Sequence, residues 1–133
     1  MSRAEELPAA LRPGAKSSWT RVITAGDIAR FAEVSGDRGR HHLETDASGR
    51  LLAHGLLTAT LPTKLGGDLN FIARTMTFDF LKPVYANDAL TCDGVVESAA
   101  VQSARFKLRI AFEVRNQDGV LVLRGTTSGQ VLR

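Results

Sequence analysis

"RFKLRIAFEVR", residues 105–115, decides the fold. Phe106, Leu108, Ile110, Phe112 and Val114 fall on one side of a two-residue alternation, and Arg105, Lys107, Arg109, Glu113 and Arg115 fall on the other. That period predicts a strand with one buried and one solvated face. Met76, Phe78 and Phe80 alternate in the same way within 71–82, and residues 88–98 and 119–132 supply two more strands. "NQDGV", residues 116–120, reads as the hairpin turn between the last two.

Toward the N-terminus the period changes. "GRLLAHGLLTATLPTKLGG", residues 49–67, carries Leu56, Leu57, Thr58, Ala59, Thr60 and Leu61 with no polar stripe, which predicts a helix wrapped by other structure. Pro62 is expected to kink it or end its regular part, and Gly66-Gly67 to close it. Before it, "WTRVI" at 19–23 is a short strand. Thr24 and Asp27 form a capping-box-like helix start, for a helix burying Ile28, Phe31 and Ala32, with Val34 near its end and Gly36 as its stop. Residues 1–18, with Pro8 and Pro13, are expected to be an irregular lead-in to a single domain at 19–133. One apolar helix and one amphipathic antiparallel sheet are natural partners, because the sheet can curl around the helix. This is the α+β layout of a hot-dog fold. Its exposed edge strand is expected to be covered by edge-to-edge pairing in a homodimer or higher homo-oligomer.

The 133 residues suit one domain with one core. With 44% hydrophobic and 23% charged residues, the chain reads as a globular protein rather than a disordered one. The net charge of +3 is mildly basic but not clustered, and no basic stretch carries interleaved aromatics, so nucleic acid is not an expected partner. The single cysteine, Cys92, cannot form an internal disulfide and suits a reducing compartment. The start has no apolar segment of a secretory signal, and no run approaches membrane-spanning length. A cytoplasmic protein with no membrane partner is therefore expected.

"GDRGRHH", residues 36–42, is the stretch richest in groups that move protons. Asp37 and His42 are five apart in a glycine-containing loop, and such a loop can fold back so that both converge. A carboxylate and an imidazole holding one water can add it to, or remove it from, a polarised double bond. The same composition also suits a solvated polar turn. "AHG", residues 53–55, places Gly55 where the apolar helix begins. Free N–H groups there, with a glycine allowing close approach, could form a small oxyanion site, while tight packing against the sheet explains Gly55 equally well. His54 reads as a structural histidine with its ring bonded to backbone. The three histidines and Cys92 lack zinc-site spacing, so no metal is expected. "LGGDL" is no phosphate loop, and no Gly-x-Ser-x-Gly elbow occurs. Cys92, in a strand, is expected to be buried and inert.

The residues resemble a known family. "FAEVSGDRGRHHLETD" followed by "LLAHGLLTATLPTKLGG" is similar to the MaoC-like, (R)-specific enoyl-CoA hydratase and dehydratase family. Its members commonly show Phe-Ala-x-x-Ser-Gly-Asp-x-Asn-Pro-x-His and then a His-Gly pair opening the central helix. Phe31, Ala32, Ser35, Gly36, Asp37 and His42 match the first motif, and His54 and Gly55 the second. "FLKPVYANDAL", residues 80–90, matches Phe-x-x-Pro-Val-x-x-Gly-Asp at Pro83, Val84 and Asp88. The resemblance spans residue 19 to the C-terminus.

It implies hydration of trans-2-enoyl thioesters, or dehydration of (3R)-hydroxyacyl thioesters, on a CoA or acyl-carrier-protein carrier, with no further cofactor. Asp37 and His42 would orient the water, one removing its proton while the other helps deliver a proton to the α-carbon. The Gly55 N–H would hold the thioester carbonyl. Thr63 aligns with a serine that hydrogen-bonds near the catalytic Asp in some relatives. Arg38, Arg40, Lys64 and Arg74 are candidates to meet the carrier's phosphates, with a solvated-surface role as the alternative for each. Two departures stand out. Gly39-Arg40 replaces the Asn-Pro, and the connection from His42 to His54 is shorter than is usual in the family. His41 could take the place of His42 if the loop register differs. Two other functions fit the fold: an acyl-CoA thioesterase, and a non-catalytic acyl-thioester-binding protein.

Overall fold

The strands expected from alternation are present, and their order in the sheet decides which of their faces are covered. The computed structural model describes residues 3–133. Met1 and Ser2 of the expected lead-in lie outside the described residues. The elements run β1 (Lys16–Val22), α1 (Ala25–Ser35), α2 (Arg40–Leu43), α3 (Gly55–Thr58), α4 (Thr60–Asp68), β2 (Ile72–Phe80), β3 (Ala89–Val101), β4 (Arg105–Arg115) and β5 (Leu121–Leu132). The strands form one antiparallel sheet in the order β1-β3-β4-β5-β2. The α4 segment lies across β1, β3 and β2, which is the curled-sheet-on-helix layout expected.

The β4 alternation holds along its whole length: Phe106, Leu108, Ile110, Phe112 and Val114 are all buried. Phe112 and Val114 pack with Ile23, Ile28, Leu57, Leu61, Leu90 and Leu123 in the main core. Phe106, Leu108 and Ile110 form a second cluster with Val96, Val131, Leu7 and Leu11. So the segment expected to be irregular contributes to the core. It makes 3₁₀ turns at Arg3–Glu6 and Ala9–Leu11, and its last residues join β1, which opens at Lys16 rather than at Trp19.

β2 differs from its expectation. Met76, Phe78 and Phe80 do share a face, but only Phe78 is partly buried, while Ile72, Met76 and Phe80 are exposed. The reason is topological: β2 pairs with β5 alone and forms an edge of the sheet. It runs very close to its neighbour. A Cβ at Gly125 would lie 1.9 Å from the Thr77 carbonyl oxygen, so this position in β5 requires glycine.

The helices follow their caps. Thr24 and Asp27 make a reciprocal capping box, and Gly36 closes α1 in the left-handed conformation at φ 77°. Ile28 and Ala32 are buried, but Val34 is 84% exposed on the open side of α1. The central helix is shorter and more interrupted than expected. Residues 49–54 are not helical, and α3 and α4 break at Ala59. The break falls one turn ahead of Pro62, because a proline ring clashes with the carbonyl four residues back, here that of Thr58, and cannot donate to it. Gly66-Gly67 does not end the helix. Leu69, Asn70 and Phe71 turn their N–H groups back onto the Gly66 and Gly67 carbonyls, and Asn70 takes the left-handed turn at φ 57°. Nor is the helix wrapped on all sides: Leu57, Thr58, Leu61 and Leu65 are buried, but Leu56 is exposed.

Candidate active site

The Gly36 turn directs the chain back toward the start of α3. Ser35 Oγ accepts the Asp37 N–H at 3.0 Å, and Asp37 Oδ1 accepts the Gly39 N–H at 3.1 Å. This short side-chain-to-backbone turn fixes the carboxylate. Residues Arg40–Leu43 then form one helical turn, with Gly39 as its N-cap. The turn buries His42 and leaves His41 exposed, with the two rings tilted at 4.0 Å between centroids. The register therefore selects His42, not His41, to face Asp37.

His42 Nδ1 lies 2.8 Å from the Leu52 carbonyl oxygen. A carbonyl only accepts, so Nδ1 carries a hydrogen, and in the neutral ring Nε2 keeps its lone pair. That lone pair faces Asp37 Oδ2 at 3.7 Å. The separation is too long for a direct hydrogen bond and too short to hold a water in line, but a water beside the pair can lie about 2.8 Å from each acceptor and donate one hydrogen to each. Asp37 is 56% exposed while His42 is 6% exposed, so the gap is open from the carboxylate side.

His54 is 2% exposed. Its Nε2–H donates to the Asp37 main-chain carbonyl at 2.9 Å, which is the ring-to-backbone bond expected of it. Its ring stacks on His42 at 3.7 Å and 18°, and the edge-on Phe31 ring meets it at 4.8 Å. Its Nδ1 is buried without a hydrogen-bond partner. Asp37, His42 and His54 place ligand-type atoms within 4.8 Å of one another. The stacked rings nevertheless send their in-plane lone pairs along near-parallel planes, and one nitrogen of each already bonds a carbonyl. This arrangement suits stacking and hydrogen bonding rather than convergence on one ion.

Gly55 follows His54 as the first residue of α3, so its N–H is a donor that the helix start leaves without an intrahelical partner. A Cβ here would meet the Phe80 ring at 2.7 Å. The close approach is thus made by a side chain from the end of β2, and packing alone accounts for the glycine. Gly55 also lines a groove of about 250 Å³ with Thr58, Phe80, Leu81 and Lys82. Lys82 carries no signal in the sequence beyond its place in "FLKPV".

The remaining predicted residues lie elsewhere. Thr63 Oγ donates to the Ala59 carbonyl at 2.8 Å, which commits its hydroxyl hydrogen to the helix backbone rather than to Asp37. The residue lines an apolar cavity of about 140 Å³ beneath α4, with Leu65, Met76, Ile110 and Phe112. Arg38 pairs with Glu33, and Arg40 lies 3.8 Å from Glu44. Lys64 pairs with Asp68 at 2.6 Å and sits over the Trp19 ring. Arg74 stands at a bulge in β2 and lines a surface groove with Arg105, Lys107 and Arg109 on the outer face of the sheet. The structure thus gathers Asp37, His42 and Gly55 around His54, and leaves Thr63 and the four cations outside that cluster. The short link from His42 to His54 is a tight turn. Asp46 accepts the Ser48 and Arg50 N–H groups, and the Arg50 N–H is the main cause of its lowered pKa.

No protein-family description and no curated protein matches the sequence. Solved structures do match it. The R-hydratase PhaJ1 of Pseudomonas aeruginosa is 27% identical, with a TM-score of 0.80 over 94% of this chain and 88% of that one. The (R)-hydratase of A. caviae involved in PHA biosynthesis is 25% identical, with a TM-score of 0.78 over 92% and 98%. A MaoC-like dehydratase from Rhodospirillum rubrum, 21% identical over 97% and 95%, has a TM-score of 0.75 and shares the fold. The hot-dog fold and the resemblance read from the sequence both stand. Among the described residues, no helix is long and apolar enough to cross a membrane.

Proposed function

We propose that the chain catalyses reversible hydration of trans-2-enoyl thioesters to (3R)-hydroxyacyl thioesters at Asp37, His42 and Gly55. The observation that carries this is the 3.7 Å gap between Asp37 Oδ2 and His42 Nε2, two acceptors facing one another at the mouth of α3. A water beside the pair, on the open carboxylate side, can be held by both. His42 Nε2 takes a proton from that water as its oxygen bonds the β-carbon, and Asp37 holds the water and offsets the imidazolium charge. The electrons of the double bond move toward the thioester oxygen, where the Gly55 N–H meets the developing charge. His42 then returns the proton to the α-carbon, so the elements of water are added and the enzyme is regenerated. Dehydration is the reverse path.

A second copy paired along β2 would cover the exposed Ile72, Met76, Phe80 and Leu56 and close the site above Asp37. The apolar cavity beneath α4 offers the surface an acyl tail needs. The carrier, CoA or acyl carrier protein, is left open by the cations.

The test is loss of enoyl absorbance from crotonyl-CoA and longer enoyl-CoA thioesters, with the wild type, Asp37→Asn and His42→Ala. The expected result is turnover by the wild type and a loss of at least about 10²-fold in each variant. Release of free thiol instead would favour a thioesterase, and binding without turnover a non-catalytic protein. A wild type that hydrates no enoyl-CoA of any chain length refutes the proposal.

A further inference from the structure

We infer that His54 is a positioning residue that sets the Asp37–His42 gap and holds it in register with the Gly55 N–H, an inference that rests on the hydratase reading. Three parts of the site sit on different pieces of chain: Asp37 on the turn after α1, His42 in α2, and Gly55 at the start of α3. One buried ring joins them. Its Nε2–H holds the Asp37 carbonyl at 2.9 Å, its face lies on the His42 ring at 3.7 Å, and its own carbonyl carbon is bonded to the Gly55 nitrogen. Phe31 meets it edge-on at 4.8 Å and, with His42, confines the ring.

The unpartnered Nδ1 argues that this ring does more than fill space. A buried acceptor without a donor opposes folding. A phenylalanine ring would fill a similar volume without that cost, but would lose the donor to Asp37. A glutamine could reach the same carbonyl, but would lose the flat face that His42 lies on. Only a side chain with a flat face and an in-plane N–H meets both demands, and His54 meets them at the expense of its other nitrogen.

The consequence is geometric. Asp37 is exposed, and its carboxylate is held through local bonds of its own turn. The His54–Asp37 bond ties the Asp37 turn itself to the helix start seventeen positions away, while the His42–Leu52 and Leu52–His41 bonds tie α2 to the approach of the same helix. Without it the turn can shift relative to the Gly55 N–H and carry the carboxylate with it, and a displacement near 1 Å costs on the order of 10²-fold in rate.

The test uses the full-length chain with His54→Phe and His54→Gln. Crotonyl-CoA hydration is measured as kcat and KM separately, beside the melting temperature and long-range ¹H–¹⁵N spectra of the imidazoles. The expected result for His54→Phe is a folded protein with kcat lowered by roughly 10- to 100-fold and KM changed by less than about threefold. His54→Gln, which keeps the donor, is expected to recover part of that loss. Wild-type kcat in His54→Phe, or an equal kcat loss in both variants while both remain folded, overturns the inference. If the wild type itself turns over no enoyl thioester, the hydratase reading fails, and the spectra still decide the positional claim. A single Nδ1–H form of His42 in the wild type that broadens or splits in His54→Phe supports it, and an unchanged His42 signal overturns it.

Discussion

Replacing Asp27 with asparagine tests how the fold anchors the helix that leads into its candidate active-site loop. Asp27 sits in the first turn of α1, 6% exposed. Its Oδ2 accepts the Thr24 N–H at 2.9 Å, and its Oδ1 lies 2.7 Å from both Arg21 and Arg30. In return its own N–H is capped by Thr24 Oγ at 3.0 Å. An amide cannot accept from the Thr24 N–H and from two guanidinium groups in this geometry, and it carries no charge. The capping interaction is worth about 0.5–2 kcal/mol. Arg30 is 76% exposed, so its pair adds under about 1 kcal/mol. Arg21 is 32% exposed, and its ion pair adds about 1 kcal/mol. The expected loss for Asp27→Asn is therefore about 2–4 kcal/mol at pH 7, or a melting shift near 10 °C at this size. The Thr24 backbone N–H is the largest cause that holds the Asp27 carboxyl below its ordinary value of 3.8, joined by the Thr24 hydroxyl and both arginines. A lowered folded pKa contributes stability that is fully present above the unfolded value and is lost as pH falls through the folded one. Urea unfolding of both proteins from pH 7 down to pH 2.5 reads the difference directly. A difference under about 0.5 kcal/mol at pH 7, or one that stays constant down the whole range, refutes the reasoning.

Further outcomes are expected at three positions. Gly125→Ala forces its Cβ from 1.9 Å toward the 3.0 Å that real contacts respect, which pushes β2 off β5; a loss of about 3 kcal/mol is expected, with faster amide exchange confined first to residues 72–80, and unchanged exchange there counts against it. The Cys92 thiol, fully buried and pushed up to about 12 by burial, is expected to resist thiol reagents in the native state and react at once in denaturant. Because the unfolded thiol titrates near its ordinary 9.0, stability falls as pH rises past that value, and Cys92→Ala should blunt the fall. Arg40→Pro is expected to stabilise the chain by about 0.4–1 kcal/mol in thermal or urea unfolding, since Arg40 opens α2 and Gly39 already has φ −54° and ψ 142°; destabilisation would show that the Arg40 N–H has a partner.

Local signals in this chain could be read from the sequence, and non-local ones could not. The capping box at Thr24 and Asp27, the left-handed Gly36 and the alternation of β4 each depend on residues a few positions apart. Even a departure from the family pattern becomes legible this way. Asn87 stands where the "Pro-Val-x-x-Gly-Asp" pattern has glycine, and it takes φ 78°, a conformation asparagine tolerates better than most residues. By contrast, α2 is a single turn, too short to show any period. The exposure of Met76 and Phe80 follows from the edge position of β2, and edge position is a property of strand order. The burial of Leu7 and Leu11 depends on partners in β3, β4 and β5 far along the chain. Asp37, His42 and Gly55 were each visible as residue types, and the His54 ring was expected to bond backbone, but which carbonyl it reaches, seventeen positions away, left no pattern to read.

The Gly39-Arg40 pair shows how the loop geometry survives a change in its side chains. What the turn needs from residue 39 is its main-chain N–H, which Asp37 Oδ1 accepts, and its carbonyl, which accepts the His42 N–H at 2.9 Å. Both are present whatever the side chain is, and φ −54° is open to any residue. Glycine adds room: a Cβ there would lie 2.9 Å from the His41 ring, so the bare backbone lets that ring fold over and tilt against His42. Residue 40 needs only to begin a helical turn, where a proline is pre-set and an arginine is permitted. This chain therefore reaches the shape without the motif's Asn and Pro. Those contacts come from Ser35, Asp37, Leu52 and His54, and all four are in place.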